Sequence, residues 1–271
     1  IAPIVRERLY VDEFGVEEER IMAVPIYVEI SNLKSQILKI KKNNKFIFLT
    51  VGRLVPVKNI KLQIEAMAEI VKKYPKTELW IAGEGPEREN LKSQTLKLKL
   101  QNNIKFLGWQ EDVGKFYGRA DAFLLTSNYE GWGMAVIEAA SRGLPIIMTD
   151  VGCAGEVIKD GESGIIIPIN NKDKLIKKMM EIVENADLRR KIGEETQNAI
   201  KKLPDKKETL DLYERNWKKT ANKKIKICYI LPRYDPNDHT HFFHIRDFLR
   251  EVSKEADLLL IIRKIVGKVD K

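Results

Sequence analysis

Short apolar runs alternate with longer amphipathic segments from residue 46 onward, and this rhythm restricts the chain to few folds. The apolar runs are FIFLTV (46–51), ELWIA (78–82), IKFL (104–107), DAFLLT (121–126), PIIMT (145–149) and GIIIP (164–168). Each is short and apolar nearly throughout, as expected of strands covered on both faces of a parallel sheet. An apolar stripe at helical spacing follows the first run, at Ile60, Ile64, Met67 and Val71. We therefore predict a doubly wound, Rossmann-like α/β domain with a parallel sheet over about residues 27–222.

Partial α/β segments are predicted at both ends of this domain. Residues 1–26 have the pattern of a helix followed by one short strand, IMAVP, with nothing before the strand to pair with it, so we place them outside this domain. Residues 225–262 restart the rhythm with IKICYI, a polar loop, an amphipathic helix and DLLLII. We interpret residues 223–271 as the truncated start of a second α/β domain, and the whole chain as an excerpt of a longer protein.

The formal net charge of +9 is concentrated in one stretch of the chain. Residues 201–226 contain ten Lys and Arg against four Asp and Glu, which leaves +6 of the +9 there. A solvated helix face explains such a run, and a basic surface near anionic lipid head groups or an acidic substrate is the sharper interpretation. Because few aromatic residues in this run could stack bases, we predict no nucleic acid partner.

Neither a membrane span nor a disulfide framework is predicted. The longest apolar runs are far shorter than the roughly 20 residues that a membrane helix needs, and no signal-peptide pattern opens the chain. The two cysteines, Cys153 and Cys228, have no zinc-site or disulfide spacing. We expect a cytoplasmic protein, with peripheral contact at the inner membrane surface as a further expectation.

Three loops that follow strands could hold a ligand, because ligands of open α/β sheets lie outside the carboxyl ends of the strands. The first is GRLVPVKN, in which Gly52 permits close approach and Arg53 and Lys58 supply two cations suited to a diphosphate. Ordinary surface cations would have the same appearance. The second is GEGP, where Gly83 and Gly85 indicate a tight turn beside the same crevice rather than a dinucleotide fingerprint.

The third loop, SNYEGWGMAVIEAAS, places Glu130 and Glu138 eight positions apart around a pair of glycines. Gly131 and Gly133 leave backbone N–H groups open where a helix begins, and a helix N-terminus favours an anion. Carboxylates accept hydrogen bonds from hydroxyls, so the two glutamates suit a ligand that carries hydroxyls beside its phosphate. A sugar nucleotide has that character.

These motifs, in their order, resemble the carboxyl-terminal, donor-binding domain of family 4 retaining glycosyltransferases of the GT-B fold. The resemblance rests on GRLVPVKN, WIAGEGPE, FLGWQEDV and the stretch from ADAFLLTSNYEGWGMAVIEAAS through GIIIP, and it covers about residues 27–222. Its most specific part is the Glu-x7-Glu spacing of Glu130 and Glu138. The tail from about residue 224 resembles the start of a second such enzyme, although its first loop, LPRYDPNDH, lacks the expected glycines.

The resemblance implies a role for each matching residue. Arg53, Lys58 and Glu130 would be catalytic: the two cations would stabilise the departing diphosphate, and Glu130 would lie beside the donor sugar. Glu138 would accept hydrogen bonds from the ribose, and no metal or other cofactor would be needed. The implied donor-binding residues are Gly52, Gly83, Glu84, Gly85, Leu107, Gly108, Trp109, Gly131, Trp132, Gly133, Met134 and Glu138.

The implied activity is transfer of a hexose from a nucleotide sugar to a glycan, lipid or other small acceptor, with retention, in glycan biosynthesis. The acceptor would be held by an amino-terminal domain of which only YVDEFGVEEERIMAVPIYVEI would be present. An alternative is a nucleotide-sugar binding module that is inactive alone. A third hypothesis treats Glu130 and Glu138 as a glycosidase pair, which requires carboxylates either about 5 to 5.5 Å or about 6.5 to 9.5 Å apart.

The histidines and tryptophans leave two further alternatives open. His239, His241 and His244 could bind a metal, but no cysteine or carboxylate at ligand spacing completes such a site, so we interpret them as lining a helix start. Trp109, Trp132 and Trp217 fit core or crevice-wall positions, with Trp132 the one that could serve as a sugar platform.

Overall fold

A six-stranded parallel sheet forms the centre of the molecule. The computed structural model describes residues 45–220, 226–231 and 257–262, and side chains up to residue 215. The strands are β1 Phe46–Val51, β2 Thr77–Ala82, β3 Ile104–Gly108, β4 Ala122–Leu125, β5 Ile146–Thr149 and β6 Ile165–Ile167. Their order is β3-β2-β1-β4-β5-β6, and every neighbouring pair is parallel. The predicted doubly wound parallel sheet is therefore confirmed.

Helices connect the strands and cover both faces of the sheet. They are α1 Ile60–Lys73, α2 Arg88–Lys97, α3 Gly114–Tyr117, α4 Met134–Ser141, α5 Lys172–Glu184 and α6 Ala186–Lys201. A further helix, α7 Lys206–Thr220, follows α6 in the chain. A single 3-10 turn, Pro56–Lys58, precedes α1. Helix α2 begins at Arg88, two residues after Pro86 of the GEGP loop.

Alternate residues of each strand supply two separate hydrophobic cores. In β1, Phe48 belongs to the core under α1 and α5, whereas its neighbour Leu49 belongs to the core under α3 and α4. The same alternation separates Leu124 from Phe123 in β4. Successive side chains of a strand point to opposite faces, so a strand buried on both faces must be apolar throughout. This accounts for the unbroken apolar runs of the sequence.

The strand order reverses direction between β1 and β4, which lie side by side although β2 and β3 come between them in the chain. At such a switch point the loops that leave the two strands diverge and open a crevice outside the carboxyl ends. The two loops here run from Gly52 to Asn59 after β1 and from Thr126 to Gly133 after β4. Both were predicted as ligand-binding loops.

Contacts divide the chain into two compact units, residues 1–209 and 210–271. In the second unit, β7 Lys226–Leu231 and β8 Asp257–Ile262 form a two-stranded parallel sheet, as the apolar runs IKICYI and DLLLII predict. The strand predicted at IMAVP, the segment of residues 1–26 and the three histidines lie outside the described residues. Within the described part of the chain, no helix has the length and apolar character needed to cross a membrane.

Candidate active site

An ion pair joins the two loops at the switch point. Lys58 Nζ lies 2.6 Å from Glu130 Oε1, and the hydroxyl of Ser127 donates to the same oxygen at 2.7 Å. The side chain of Lys58 keeps 26% of its surface exposed and that of Glu130 keeps 10%, so the pair lies at the floor of the crevice. Two of the three predicted catalytic residues, 72 positions apart, are thus in contact.

Two hydrogen bonds to backbone carbonyls also join these loops. The N–H of Asn128 donates to the carbonyl of Val57 at 2.8 Å, and the hydroxyl of Thr126 donates to the carbonyl of Asn59 at 3.0 Å. Pro56 opens the 3-10 turn that ends at Lys58, and its ring restricts φ at that position. The Lys58 segment is therefore held from both sides.

Arg53 is the third predicted catalytic residue. Its side chain is exposed, and it makes no hydrogen bond or ion pair with any part of the chain that the structure describes. The next residue, Leu54, is buried, and its N–H donates to the carbonyl of Glu84 at 2.9 Å. Arg53 is thus a cation without an acidic partner on a loop whose backbone is anchored.

The glycine loop after β2 packs directly against the loop after β1. A Cβ atom at Gly83 would lie 1.9 Å from the carbonyl oxygen of Gly52, and one at Gly85 would lie 2.4 Å from that of Leu54. Both distances are far below contact distance, so only glycine permits this approach. Glu84, between the two glycines, pairs with Arg88 in the first turn of α2. The predicted tight turn beside the crevice agrees with this geometry.

The loop after β3 lies beside the glycine loop. The N–H of Gly83 donates to the carbonyl of Gly108 at 2.8 Å, and Leu107 is half-buried. Trp109 is 71% exposed. Its indole ring is therefore exposed to solvent at this end of the crevice and is not part of a core.

The segment from Gly131 to Met134 leads into α4. Gly133 has φ +92°, in the left-handed region that favours glycine, and it caps the helix. An added Cβ at Gly131 would meet nothing within 4 Å, and Met134 is 40% exposed. Within the described residues, the backbone N–H groups of positions 131–134 have no hydrogen-bond acceptor. The segment is therefore a row of donors at a helix N-terminus, with exposed residues at Gly131 and Met134 and buried ones between them.

Trp132 is buried, with 7% of its surface exposed, and it belongs to the core under α4. Its indole N–H finds no acceptor among the described residues. The side chain is not an open platform for a sugar, because its ring faces are packed in the core. Its contribution at the site is its backbone, whose carbonyl accepts from the N–H of Cys153 at 2.9 Å.

Glu138 lies one turn further along α4 and has different partners from Glu130. The hydroxyl of the buried Tyr117 donates to Glu138 Oε2 at 2.9 Å. Burial raises the pKa of Glu138, while the hydrogen bond from Tyr117 and the charge of Arg142 lower it by a smaller amount. Burial and the adjacent carboxylate raise the pKa of Tyr117 well above its usual range, so this phenol stays a donor.

The described residues contain neither a reactive thiolate nor a group arranged as a metal site. Burial raises the pKa of the Cys153 thiol to about 12, so it is not a reactive thiolate at neutral pH. No group of three or more His, Cys, Asp and Glu in the described ranges has the arrangement of a metal site.

Sequence reasoning missed the residues that hold the predicted ones in place, namely Ser127, Thr126, Tyr117 and Gln63. Ser127 carried a weak signal, because it lies three residues before Glu130 in the same loop. Tyr117 carried none, since it contacts Glu138 from 21 positions away. Such contacts depend on how the helices pack on the sheet.

The chain is similar in sequence to a known family and to several of its members. The family model described as "Glycosyl transferases group 1" matches residues 34–199. Alpha-monoglucosyldiacylglycerol synthase of Acholeplasma laidlawii is 31% identical over 228 residues, which cover 78% of this chain and 56% of that protein. The chain spans 42%, 49% and 27% of three further curated relatives. It therefore spans about half or less of the length of these relatives.

Two solved structures show the same fold. TarM of S. aureus, as a mutant in complex with Fondaparinux, alpha-GlcNAc-glycerol and UDP, has a TM-score of 0.69 at 24% identity, covering 80% of this chain and 42% of that one. The C-terminal domain of LpcC, a group 1 family glycosyl transferase of Francisella tularensis, has a TM-score of 0.55 at 25% identity. That match covers 59% of this chain and 87% of the LpcC domain. The family match over more than half of the chain is decisive: the chain belongs to the group 1 glycosyl transferases, with a sheet of the GT-B type.

Proposed function

We propose that this chain supplies the donor-binding half of a retaining glycosyltransferase that uses a nucleotide-diphosphate sugar. The observation that carries the proposal is the placement of cations and backbone N–H donors at the switch point of the sheet. Arg53 and Lys58 lie on the loop after β1, Lys58 contacts Glu130 of the loop after β4, and that loop continues into the N–H groups of residues 131–134. Two cations and a row of donors form an anion site, and the carboxylates of Glu130 and Glu138 beside them accept from hydroxyls.

Arg53 and Lys58 bind the diphosphate in this proposal. When the bond between the anomeric carbon and the diphosphate oxygen breaks, the leaving group gains negative charge. Fixed cations stabilise that charge more in the transition state than in the ground state, and this lowers the barrier. Arg53 is exposed and unpaired in the described part of the chain, which supports its role as the first contact for the donor.

Glu130 lies next to the sugar, and the donor redistributes its contacts. In the structure, Glu130 Oε1 accepts from both Lys58 and Ser127. A diphosphate attracts the lysine, and the carboxylate then accepts from sugar hydroxyls. Ser127 keeps Glu130 oriented during this exchange.

The nucleoside lies toward β2 and β3. Glu138 accepts from the ribose hydroxyls, and its fixed contact with Tyr117 supports this role by presenting one carboxylate oxygen in a set direction. The base lies against Gly83 to Gly85 and Leu107 to Trp109, in the two loops that follow β2 and β3 and that contact each other through the Gly83 N–H and the Gly108 carbonyl. No metal is required, because the two cations balance the charge of the diphosphate.

The acceptor is held by a domain that precedes the donor domain. In this proposal residues 1–26 are the last part of that preceding domain, residues 27–222 are the donor domain, and residues 223–271 are the start of another domain. Support comes from the LpcC match, which is to a C-terminal domain and covers nearly all of it. The relatives include an alpha-monoglucosyldiacylglycerol synthase and a galactosyltransferase whose name contains alpha-D-GlcNAc-diphosphoundecaprenol. A lipid-linked or glycan acceptor at a membrane surface is therefore part of the proposal.

Calorimetry with UDP, GDP and ADP tests the donor site. We expect one of them to bind, and we expect Arg53→Ala and Lys58→Ala each to weaken binding about tenfold or more, the value of one lost charge-assisted hydrogen bond. Lys97→Ala, at an exposed position near the end of α2, is the matched control and should bind like the wild type. Absence of binding by all three nucleotides would contradict the proposal.

A further inference from the structure

A fully buried polar side chain lies beneath the two loops of the site. Gln63 is on the buried face of α1, within the apolar stripe, and none of its surface is exposed. Its neighbours in that stripe, such as Ile64 and Met67, are apolar and equally buried. Burial of an amide among apolar side chains costs free energy unless its polar atoms are hydrogen-bonded.

The amide of Gln63 joins the ends of the two strands that flank the switch point. Its Nε2 donates to Thr126 Oγ1 at 2.9 Å, directly after β4, and to Thr50 Oγ1 at 3.3 Å, near the end of β1. Thr126 in turn donates to the carbonyl of Asn59 at 3.0 Å. One side chain therefore connects the start of the Arg53 loop, the end of the Lys58 turn and the start of the Glu130 loop.

The other half of this amide has no hydrogen-bond partner in the described residues. Gln63 Oε1 is buried and accepts no bond. Methionine has nearly the same volume and would remove that unfavourable orphan acceptor. A thioether at this position would avoid the cost of the unpaired acceptor, so stability alone does not account for the amide. What the amide adds is its two hydrogen bonds to the threonines.

We propose that Gln63 is a positioning residue that sets the separation of Lys58 and Glu130 by tying both loops to α1. For donor binding, this inference rests on the proposed function. The contact between Lys58 and Glu130 itself does not depend on that function, so the geometry can be tested separately.

The test uses Gln63→Met, Thr126→Val, the double variant and Met67→Leu as a volume-conserving control on the same buried face. Affinity for the nucleoside diphosphate that binds the wild type is measured by calorimetry, and melting temperature by scanning calorimetry. We expect Gln63→Met to weaken binding about 2- to 12-fold, the range of one net hydrogen bond, with an unchanged or raised melting temperature. The double variant should be no weaker than Thr126→Val alone, because both changes break the same connection.

Crystal structures of wild type and Gln63→Met provide the second measurement. We expect the Lys58 Nζ to Glu130 Oε1 distance to lengthen beyond hydrogen-bond range in the variant and to stay unchanged in Met67→Leu. An unchanged distance together with unchanged affinity would overturn the inference, and so would a lowered melting temperature as the only effect. If no nucleotide binds even the wild type, the proposed function fails, while the crystallographic distance still decides this inference.

Discussion

At the scale of single residues, the two glutamates of the third loop have distinct environments. Glu130 is hydrogen-bonded by a lysine and a serine from the loops of the switch point, whereas Glu138 is hydrogen-bonded by a phenol from α3. Because these hydrogen-bond partners differ, the same residue type at a fixed spacing can carry two roles. The glycosidase hypothesis requires both to act on one bond, and it predicts release of sugar from an aryl glycoside without nucleotide.

The contact between Tyr117 and Glu138 should control the pH dependence of donor binding. Burial raises the pKa of Glu138 and the hydrogen bond from Tyr117 lowers it, so Tyr117→Phe should raise it further. A protonated Glu138 accepts less strongly from ribose hydroxyls, and binding of the nucleotide should therefore weaken as pH falls through this pKa. Calorimetric titrations over a pH series that starts at neutral pH and extends downward through the raised pKa should show the loss beginning at higher pH in the variant. Identical pH profiles would contradict the assignment of Glu138 to the ribose.

Glu78 should make the fold sensitive to acid without affecting the site. Burial alone would raise the pKa of Glu78, but hydrogen bonds from Lys45, Lys105 and the Trp80 indole outweigh burial and lower it to about 2. The folded pKa is below the unfolded value, so this stabilisation is complete above pH ~4.5 and is lost as pH falls toward ~2.

Urea unfolding of wild type and Glu78→Gln as a function of pH measures this effect. We expect a difference in unfolding free energy on the order of 2 kcal/mol at pH 7 that disappears as the solution approaches pH 2. Glu78 lies near the amino end of β2, opposite the crevice, so nucleotide affinity should be the same in both proteins. A difference that persists at pH 2 would show that the ion pairs are not its source.

At the scale of elements, the loops after β1 and β2 act as one unit because their backbones touch. Gly52 N–H donates to the carbonyl of Ala82 at 3.0 Å, and Leu54 N–H donates to that of Glu84 at 2.9 Å. The cations of the first loop are thereby placed against the glycine turn of the second. Loops joined in this way hold a site more rigidly than independent loops could.

Gly83→Ala should separate these two loops and lower stability sharply. The new Cβ would lie 1.9 Å from a backbone oxygen of Gly52, and φ is +145°, so the backbone must move. We expect a loss of about 3 kcal/mol or more in unfolding free energy, measured by urea titration. Gly131→Ala is the control, since its Cβ would meet nothing within 4 Å, and its stability should stay within ~0.5 kcal/mol of wild type.

The elements themselves could be predicted from sequence because their signals are local. All six strands of the main sheet and the helical stripe of α1 follow from apolar runs and their spacing. The pairing of β1 with β4 is not a local signal, since 74 positions separate Ile47 from the Asp121 side chain that accepts its N–H. The contacts of Gln63 could not be predicted for the same reason. The apolar stripe predicted a buried helix face, but nothing local to Gln63 indicated which residues its amide contacts.

At the scale of the whole molecule, the proposed donor site needs an acceptor substrate as its second partner. The chain spans 56% of the Acholeplasma relative and 42% of TarM, so in our proposal another domain provides the acceptor side. Transfer requires both substrates to meet at the crevice.

Activity should therefore depend on added sequence, whereas binding should not. We expect this chain to bind a nucleoside diphosphate but to transfer no sugar, and a protein extended upstream of Ile1 to transfer it in radiolabel assays. The product should keep the anomeric configuration of the donor, as read by proton NMR, and EDTA should change neither step. Sugar transfer by the short chain would refute the proposed division of labour, and an inverted product would refute retention.

The sequence by itself determined the strands, the helices, the parallel sheet and the three loops that carry the proposed ligand-binding residues. It could do so because apolar periodicity and glycine turns are properties of adjacent residues. Tertiary structure decided that Lys58 meets Glu130, that Tyr117 holds Glu138, that Trp132 is buried and that Gln63 ties the loops together. Each of these contacts joins residues distant in the chain, and only the crossing from β1 to β4 and the packing of helices on the sheet bring them within reach.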